Sequence, residues 1–190
     1  MSKQRFFKNY RRSGKTDYNM RLSLLKSGKP RLIVRLSSRN ITAQIVEYVP
    51  EGDKVLCGVS TQSLAKEYGW KGPRSNIPVG YLLGLLMAKK TDVKEAILDI
   101  GTRRSIHHSK LYAVVKGLID GGVHIPASDA VFPSEDRLNG EHVKAYAEML
   151  KSENKEKYDK LFSGYLANGL KPEDMPSVLA DIKLKIIGAK

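Results

Sequence analysis

Hydrophobic and polar residues alternate along two consecutive segments near the start of the chain. In residues 31–37 the side chains of Leu32, Val34 and Leu36 fall on one side, the arginines fall on the other side with Ile33 and Ser37, and residues 41–48 repeat the alternation. Because a period of two is that of a strand with one buried face, these segments and the polar residues 38–40 between them predict a β-hairpin. A strong turn follows, and renewed alternation over residues 55–59 predicts a third strand.

Helical spacing of apolar residues dominates the middle of the chain. Residues 60–68 form a short predicted helix, residues 78–90 are apolar around most of a helix, and residues 111–119 form an amphipathic helix. Ala96, Ile97, Leu98 and Ile100 form an apolar run of strand length, which is typical of a central parallel strand buried on both faces. This order predicts an α/β layered domain with a mixed sheet, in which a right-handed crossover joins the third and fourth strands.

The last third of the chain is predicted to be helical. Apolar stripes run through residues 134–151, 155–167 and 175–186, with turn residues between them. We therefore divide the chain into a basic N-terminal arm (1–30), an α/β domain (31–127) and a C-terminal helical extension (128–190).

Positive charge is concentrated at the N-terminal end. The net charge is +13, and residues 1–40 hold twelve basic residues and one acidic residue. Aromatic residues are interleaved with these basic residues, so that guanidinium groups can bind phosphates while rings stack on unpaired bases. This arrangement favours structured RNA over duplex DNA. Two alternatives stay open: the basic terminus could serve solubility or targeting, and Phe6 and Phe7 could pack on the domain.

Several classes of site are disfavoured by the sequence. The single cysteine, Cys57, excludes an intramolecular disulfide, and the longest apolar run, residues 77–88, is shorter than the roughly 20 residues of a membrane span. A phosphate-binding loop ending in Gly14-Lys15-Thr16 would need a glycine at position 9, where Asn9 stands. The four histidines lack the spacing of a metal site. We therefore predict no metal, no cofactor and no catalytic residue.

One enzymatic alternative stays open. Asp99, at the end of the predicted fourth strand, and Glu47, on the hairpin, could share a divalent cation in a metal-dependent RNA-processing module. Such acidic residues more often cap a strand or form a salt bridge. A second basic cluster, residues 103–110, follows the same strand, and α/β sheets place ligands at the carboxyl ends of their strands.

Four segments resemble a known family. They are the segment from GKTDY to QIVEY at residues 14–48, NIPVGYLLGLLMAKK at 76–90, ILDIG at 97–101 and KLYAVVKGLIDGGVHIPAS at 110–128. All four are similar to the archaeal 5S-rRNA-binding protein of the large ribosomal subunit, in the universal L-eighteen family, whose eukaryotic counterpart is called L-five. The likeness runs in order from about residue 7 to residue 150.

The resemblance implies a non-enzymatic role in the cytoplasm, on the large ribosomal subunit. A protein of this family clamps 5S rRNA and anchors it to 23S rRNA in the central protuberance. It also implies contacts with neighbouring ribosomal proteins, including the other 5S-rRNA-binding protein, and no membrane or small-molecule partner. Binding of RNA in general, without preference for 5S rRNA, is the alternative.

The resemblance also implies which residues contact RNA. Residues 14–18, together with Arg11, Arg12 and Arg21, match the arm that in this family contacts 5S rRNA. The RNA-facing edge of the hairpin is matched by Arg35, Ser37, Ser38 and Arg39. At residues 108–110 the histidine and the lysine keep the family's residue types, whereas Ser109 stands in place of a glycine. Together with the charge pattern, this gives a predicted RNA-binding set: Arg5, Phe7, Lys8, Arg11, Arg12, Lys15, Thr16, Tyr18, Arg21, Lys29, Arg31, Arg35, Ser37, Arg39, Arg103, Arg104, His108 and Lys110.

The arm is also expected to fold only on binding. Eight basic residues and one acidic residue lie between Lys3 and Lys26, and the apolar residues there lack a helical period. Self-repulsion then predicts that residues 1 to about 25 are disordered in the free protein and become ordered on RNA.

Overall fold

A mixed sheet forms the centre of the fold in the computed structural model, which describes residues 16–188. Along this part of the chain the strands are β1 (Arg31–Leu36), β2 (Ile41–Val49), β3 (Gly52–Ser60) and β4 (Ile97–Asp99), in the spatial order β3-β2-β1-β4. The first three pair antiparallel, and β4 pairs parallel with β1. The predicted hairpin, third strand and mixed α/β sheet are therefore confirmed.

The predicted place of the fourth strand is wrong. Strand β4 has three residues and lies at the edge of the sheet, because the chain leaving β3 crosses both other strands before it pairs with β1. Leu98 and Ile100 pack against the core, and Glu95 forms an isolated parallel bridge with His124 beyond the strand. This partial cover allows an apolar run at an edge that would otherwise be open to water.

Helix α1 (Tyr18–Leu25) precedes the sheet. The carboxylate of Asp17 accepts the backbone N–H groups of Asn19 and Met20 at 3.0 and 3.1 Å, so the first turn is capped. The prediction of disorder up to about residue 25 is therefore wrong for residues 18–25, whereas residues 1–15 lie outside the described residues. None of the side chains of α1 is buried.

Helix α2 (Thr61–Tyr68) begins the crossover to β4. The Ser60 hydroxyl accepts the N–H of Gln62, and Gly69 ends the helix in the left-handed conformation with φ of 71°. The predicted helix and both of its boundaries are confirmed.

Helices α3 (Ile77–Lys90) and α4 (Lys110–Asp120) cover one face of the sheet. Their backbones meet at two glycines: a Cβ on Gly84 would lie 2.2 Å from the Val114 carbonyl oxygen, and one on Gly117 would lie 2.2 Å from that of Tyr81. The core between these helices and the sheet includes Leu32, Val34, Ile41, Ala43, Ile45, Val79, Leu83, Leu86, Val114 and Leu118.

The C-terminal extension packs onto the same core. Its last helix places Met175, Leu179, Ile182 and Ile186 among the core residues. No helix within residues 16–188 is long and apolar enough to cross a membrane. The helices of the extension are α5 (Glu135–Asn139), α6 (Glu141–Glu153), α7 (Lys155–Leu161), α8 (Ser163–Ala167) and α9 (Met175–Gly188).

Two helices predicted in the extension are each divided in two. The first is interrupted at Gly140, where φ is 80° and a Cβ would lie 3.0 Å from Leu179 Cδ1, so the close approach of α9 favours a glycine there. The second is interrupted at Phe162, which is buried in one cluster with Ala147 and Leu150 of α6. Tertiary packing therefore overrides helical spacing at both positions.

Candidate nucleic-acid interface

The face of the sheet opposite α3 and α4 carries a mixture of polar and apolar side chains. We call it the open face and define it by Arg31, Ile33 and Arg35 of β1 with Thr42 and Gln44 of β2. Arg35 pairs with Thr42, and Ile33 pairs with Gln44, so these side chains form adjacent rows. Helix α1 lies against part of this face, with a cavity of about 100 Å³ between the helix and the end of β1.

A chain of ion pairs crosses the open face. The Arg31 guanidinium lies 2.7 Å from Asp99 on β4 and 2.7 Å from Asp53 on β3. Arg21 of α1 binds the same Asp53 at 2.9 Å, and Arg35 lies 3.8 Å from Asp99. Five charged side chains thus connect α1 with three strands.

Arg31 is buried within this network, although the sequence predicted that it binds RNA. Only 1% of its side chain is exposed, whereas 48% of the Arg35 side chain is exposed. The structure therefore places Arg31 in the interior, as a partner of two carboxylates, and leaves Arg35 accessible. Burial alone would raise the pKa of Asp53, but hydrogen bonds and positive charge from Arg31 and Arg21 hold that pKa below its usual range.

Asp99 and Glu47 do not come together, so the cation site considered for an RNA-processing enzyme is wrong. The Asp99 carboxylate binds Arg31 and accepts the N–H of Gly101 at 2.9 Å, which makes it a capping and pairing residue. Glu47 lies opposite Lys54 on the other side of the sheet, with β1 between β2 and β4. Within residues 16–188 no cluster of three metal-binding side chains occurs.

A second group of basic residues meets at the end of the sheet where β1 and β4 finish. Ser75 is central to it, because its hydroxyl donates to the Ser37 carbonyl at 3.0 Å and Lys110 Nζ donates to its carbonyl and hydroxyl oxygens at 3.1 and 2.9 Å. Arg103 donates to the Leu36 carbonyl at 2.6 Å. We call this surface the basic end; it consists of residues 37–40, Ser75, residues 101–105 and Lys110.

His108 stands beside the basic end in an unusual backbone conformation. Its φ is 57°, which costs a non-glycine residue free energy. Its backbone N–H donates to the Val131 carbonyl at 2.9 Å, and its ring Nδ1–H donates to the Phe132 carbonyl at 2.7 Å. These two bonds hold the conformation and orient the imidazole ring.

The other predicted residues are differently placed. The hydroxyl of Ser37 closes the β1–β2 turn, since it donates to the Asn40 carbonyl at 2.7 Å. Lys29 forms an ion pair with Glu95. Tyr18 is the first residue of α1, and Thr16 lies two residues before it. Arg39 and Arg104 are exposed and form no ion pair with any described residue. Outside the described residues lie Arg5, Phe7, Lys8, Arg11, Arg12 and Lys15.

Two basic residues outside the predicted RNA-binding set lie next to the basic end. Lys71 and Arg74 line a cleft of about 890 Å³ together with Arg39 of the β1–β2 turn. Their segment was predicted only to connect two helices. Two basic residues that flank a Gly-Pro pair just before a helix are only a weak indication of a nucleic-acid contact. The sequence also does not show that Arg39 lies beside them.

Known proteins resemble the chain along most of its length. A family model described as ribosomal large subunit proteins 60S L5 and 50S L18 matches residues 3–94. The large ribosomal subunit protein uL18 of Thermofilum pendens is 49% identical over 179 residues, which cover 93% of this chain and 91% of that relative. The similarity therefore includes most of the C-terminal extension as well as the α/β domain. The chain belongs to the uL18 family of large ribosomal subunit proteins.

Proposed function

We propose that this large-subunit ribosomal protein binds 5S rRNA and anchors it to 23S rRNA and to neighbouring proteins in the central protuberance. The other 5S-rRNA-binding protein is among those neighbours. The observation that carries the proposal is the charge distribution of the chain, in which residues 1–40 contain twelve basic residues and one acidic residue. Phosphate contacts from such a segment dominate the affinity of a protein for RNA.

The arrangement of the domain supports a second contact region for the same RNA. The basic end presents Arg39, Arg103 and Arg104 as exposed cations, and Arg35 lies nearby on the open face. We assign RNA contacts to these residues and to the basic residues of the arm (1–30), carried by the α/β domain (31–127). Arg31 is excluded from this set because it is buried. We assign the protein contacts to the C-terminal extension (128–190).

Binding to 5S rRNA tests the proposal. About 6 to 8 phosphate contacts predict a log–log salt slope of about −4 to −6, because each contact releases a counterion. Titration of 5S rRNA with the full chain over a series of KCl concentrations measures this slope, and an unrelated hairpin RNA of equal length is the control. A flat salt response would overturn RNA binding. Equal affinity for the hairpin would favour the alternative of a general RNA-binding protein.

A further inference from the structure

We propose that the cleft lined by Arg39, Lys71 and Arg74 binds the backbone of an unpaired rRNA segment, with helix α8 of the C-terminal extension as its opposite wall. The inference rests on the proposed function in that the ligand is ribosomal RNA. It adds a binding site to which both the α/β domain and the extension contribute. The α8 side of the cleft is formed by Gly164 and by Asn168 just beyond the helix.

The charge of the cleft favours an anionic ligand. Its lining contains three cationic side chains and no carboxylate. Among the described residues none of the three cations has an acidic partner within ion-pair distance, whereas Lys90, Lys116 and Lys151 elsewhere on the surface each pair with an aspartate or glutamate. Like charges held around one cavity repel each other, and phosphate groups would relieve that repulsion.

The walls of the cleft are held in place by buried contacts. Trp70 is 3% exposed, and its Nε1–H donates to the Pro73 carbonyl at 3.1 Å. Gly72 lies so close to this ring that a Cβ would be 2.6 Å from Trp70 Cζ2 and 3.1 Å from Leu170 Cδ2. The loop is also tied to the β1–β2 turn through the bond from Ser75 to Ser37. A preformed cleft lowers the entropic cost of binding.

The shape of the cleft favours an unpaired strand over a duplex. Its volume of about 890 Å³ is larger than a single phosphate requires, so the cleft can take more than one nucleotide unit. Unpaired nucleotides can be splayed out so that their backbone and bases lie along such a cleft, whereas the bases of a duplex stay stacked inside the helix. The Ser38 hydroxyl and the Asn168 side-chain amide, both in the lining, add hydrogen-bonding groups suited to a 2′-hydroxyl or a base edge.

The cleft opens beside the basic end, which favours RNA over an acidic protein segment. Arg39 belongs to both surfaces, and Ser75 joins the cleft loop to Lys110 and to the β1–β2 turn. An RNA that lies along the basic end can therefore continue into the cleft without leaving the protein surface.

The double variant Lys71→Gln/Arg74→Gln tests the inference. Neither residue makes an ion pair with the described part of the chain, and neither was assigned to 5S rRNA binding above. The full-length variant and the wild type are mixed with 5S and 23S rRNA, crosslinked with ultraviolet light and analysed by sequencing the attached RNA. We expect wild-type crosslinks from residues 70–75 to an unpaired rRNA segment, and their disappearance in the double variant. The affinity for that segment should fall about tenfold, and the salt slope should become shallower by about 2.

Two further variants distinguish RNA binding in the cleft from a general effect of positive charge on RNA affinity. Lys155→Gln/Lys157→Gln removes the same charge from α7, away from the cleft, and should leave the crosslinks and the affinity unchanged. Gly164→Trp keeps the charge and fills the cleft from the α8 side, where the position has open space. It should abolish the same crosslinks as the double variant.

The outcomes separate the inference from the proposed function. Crosslinks and affinity that are unchanged in both cleft variants would overturn the inference, even with 5S rRNA binding intact. Failure of the wild type to bind 5S rRNA would overturn the proposed function. Crosslinks to 23S rRNA would still show whether the cleft binds an unpaired rRNA segment. Crosslinking of Lys71 in purified subunits to an acidic protein segment, without RNA, would replace the RNA ligand by a protein and so contradict the inference.

Discussion

The burial of Arg31 shows how single residues connect the open face to the rest of the fold. A charged group without a partner is strongly unfavourable in the interior, and Arg31 is buried between the carboxylates of Asp53 and Asp99. The two acidic residues lie on opposite edge strands, so the arginine joins both edges of the sheet across the hairpin. Its charge is used within the protein and is unavailable to a phosphate.

Replacing Arg31 with methionine should therefore destabilise the protein. The variant Arg31→Met leaves the buried Asp99 carboxylate without its main partner, which costs about 3 to 5 kcal/mol in the free energy of unfolding. Urea denaturation measures this decrease, and Arg39→Met, at an exposed position of the turn, is the control that should change stability by less than about 0.5 kcal/mol. If the two substitutions lowered the free energy of unfolding equally, the buried ion pairs of Arg31 would contribute no more to stability than an exposed side chain does.

The ionised carboxylate of Asp53 stabilises the folded protein, and this contribution is lost at acid pH. Its pKa is lowered in the folded state, so its contribution is fully present above the unfolded value of about 3.9 and is lost as the pH falls through the folded pKa. The variant Asp53→Asn should be less stable than the wild type at pH 6, and the difference should narrow below about pH 4. Unfolding measured from pH 2 to pH 7 tests this, and a difference that stays constant over the range would contradict it.

At the scale of elements, the contact between α3 and α4 depends on two glycines. At Gly84 and Gly117 the missing side chains let the two helix backbones touch, and a Cβ at either place would clash with a carbonyl oxygen. This close approach brings both helices onto the same face of the sheet. It also sets the start of α4, and hence Lys110, beside the loop of residues 71–75.

Adding one methyl group at this contact should be costly. We expect Gly84→Ala to lower the free energy of unfolding by about 2 to 3 kcal/mol, because backbone must move to accommodate the new atom. Gly164→Ala is the matched control: its Cβ would meet nothing within 4 Å, and alanine is the better helix former, so stability should stay equal or rise by up to about 1 kcal/mol. Chemical denaturation of both variants measures the effect, and similar stabilities would refute the proposed backbone contact.

At the scale of the whole molecule, charge and core occupy different parts of the chain. Residues 1–30 contribute +8 of the net +13, whereas the hydrophobic core is built from Leu32 onward and includes the last helix. An arm that supplies charge and a domain that supplies stability should therefore be separable by truncation.

Removal of residues 1–15 tests this separation. The deletion takes away six basic residues and leaves α1, the sheet and the core intact. We expect a shallower salt slope for 5S rRNA binding, by about 0.7 to 0.9 for each phosphate that the shortened protein no longer binds, and a Tm close to that of the full chain. A large fall in Tm would show that the arm stabilises the fold, and an unchanged slope would show that the arm binds no phosphates.

The sequence predicted local structure wherever that structure depends on residues close together in the chain. The period of two in residues 31–37 and 41–48 indicated the hairpin, and the helical spacing of residues 60–68 indicated α2, because both patterns depend on residues a few positions apart. The charge of the first 40 residues and the motifs of the resemblance indicated an RNA-binding ribosomal protein for the same reason: both are properties of the sequence itself.

Tertiary structure decided what depends on residues far apart in the chain. The apolar run at residues 96–100 did not show that β4 is an edge strand, since its neighbours are chosen by the crossover and not by its own pattern. The alternation placed Arg31 opposite the apolar face, but only Asp53 and Asp99, 22 and 68 positions further on, explain its burial. The cleft likewise exists only because folding brings the turn at Arg39 and the loop of residues 71–75 beside α8, and no local pattern encodes such a meeting.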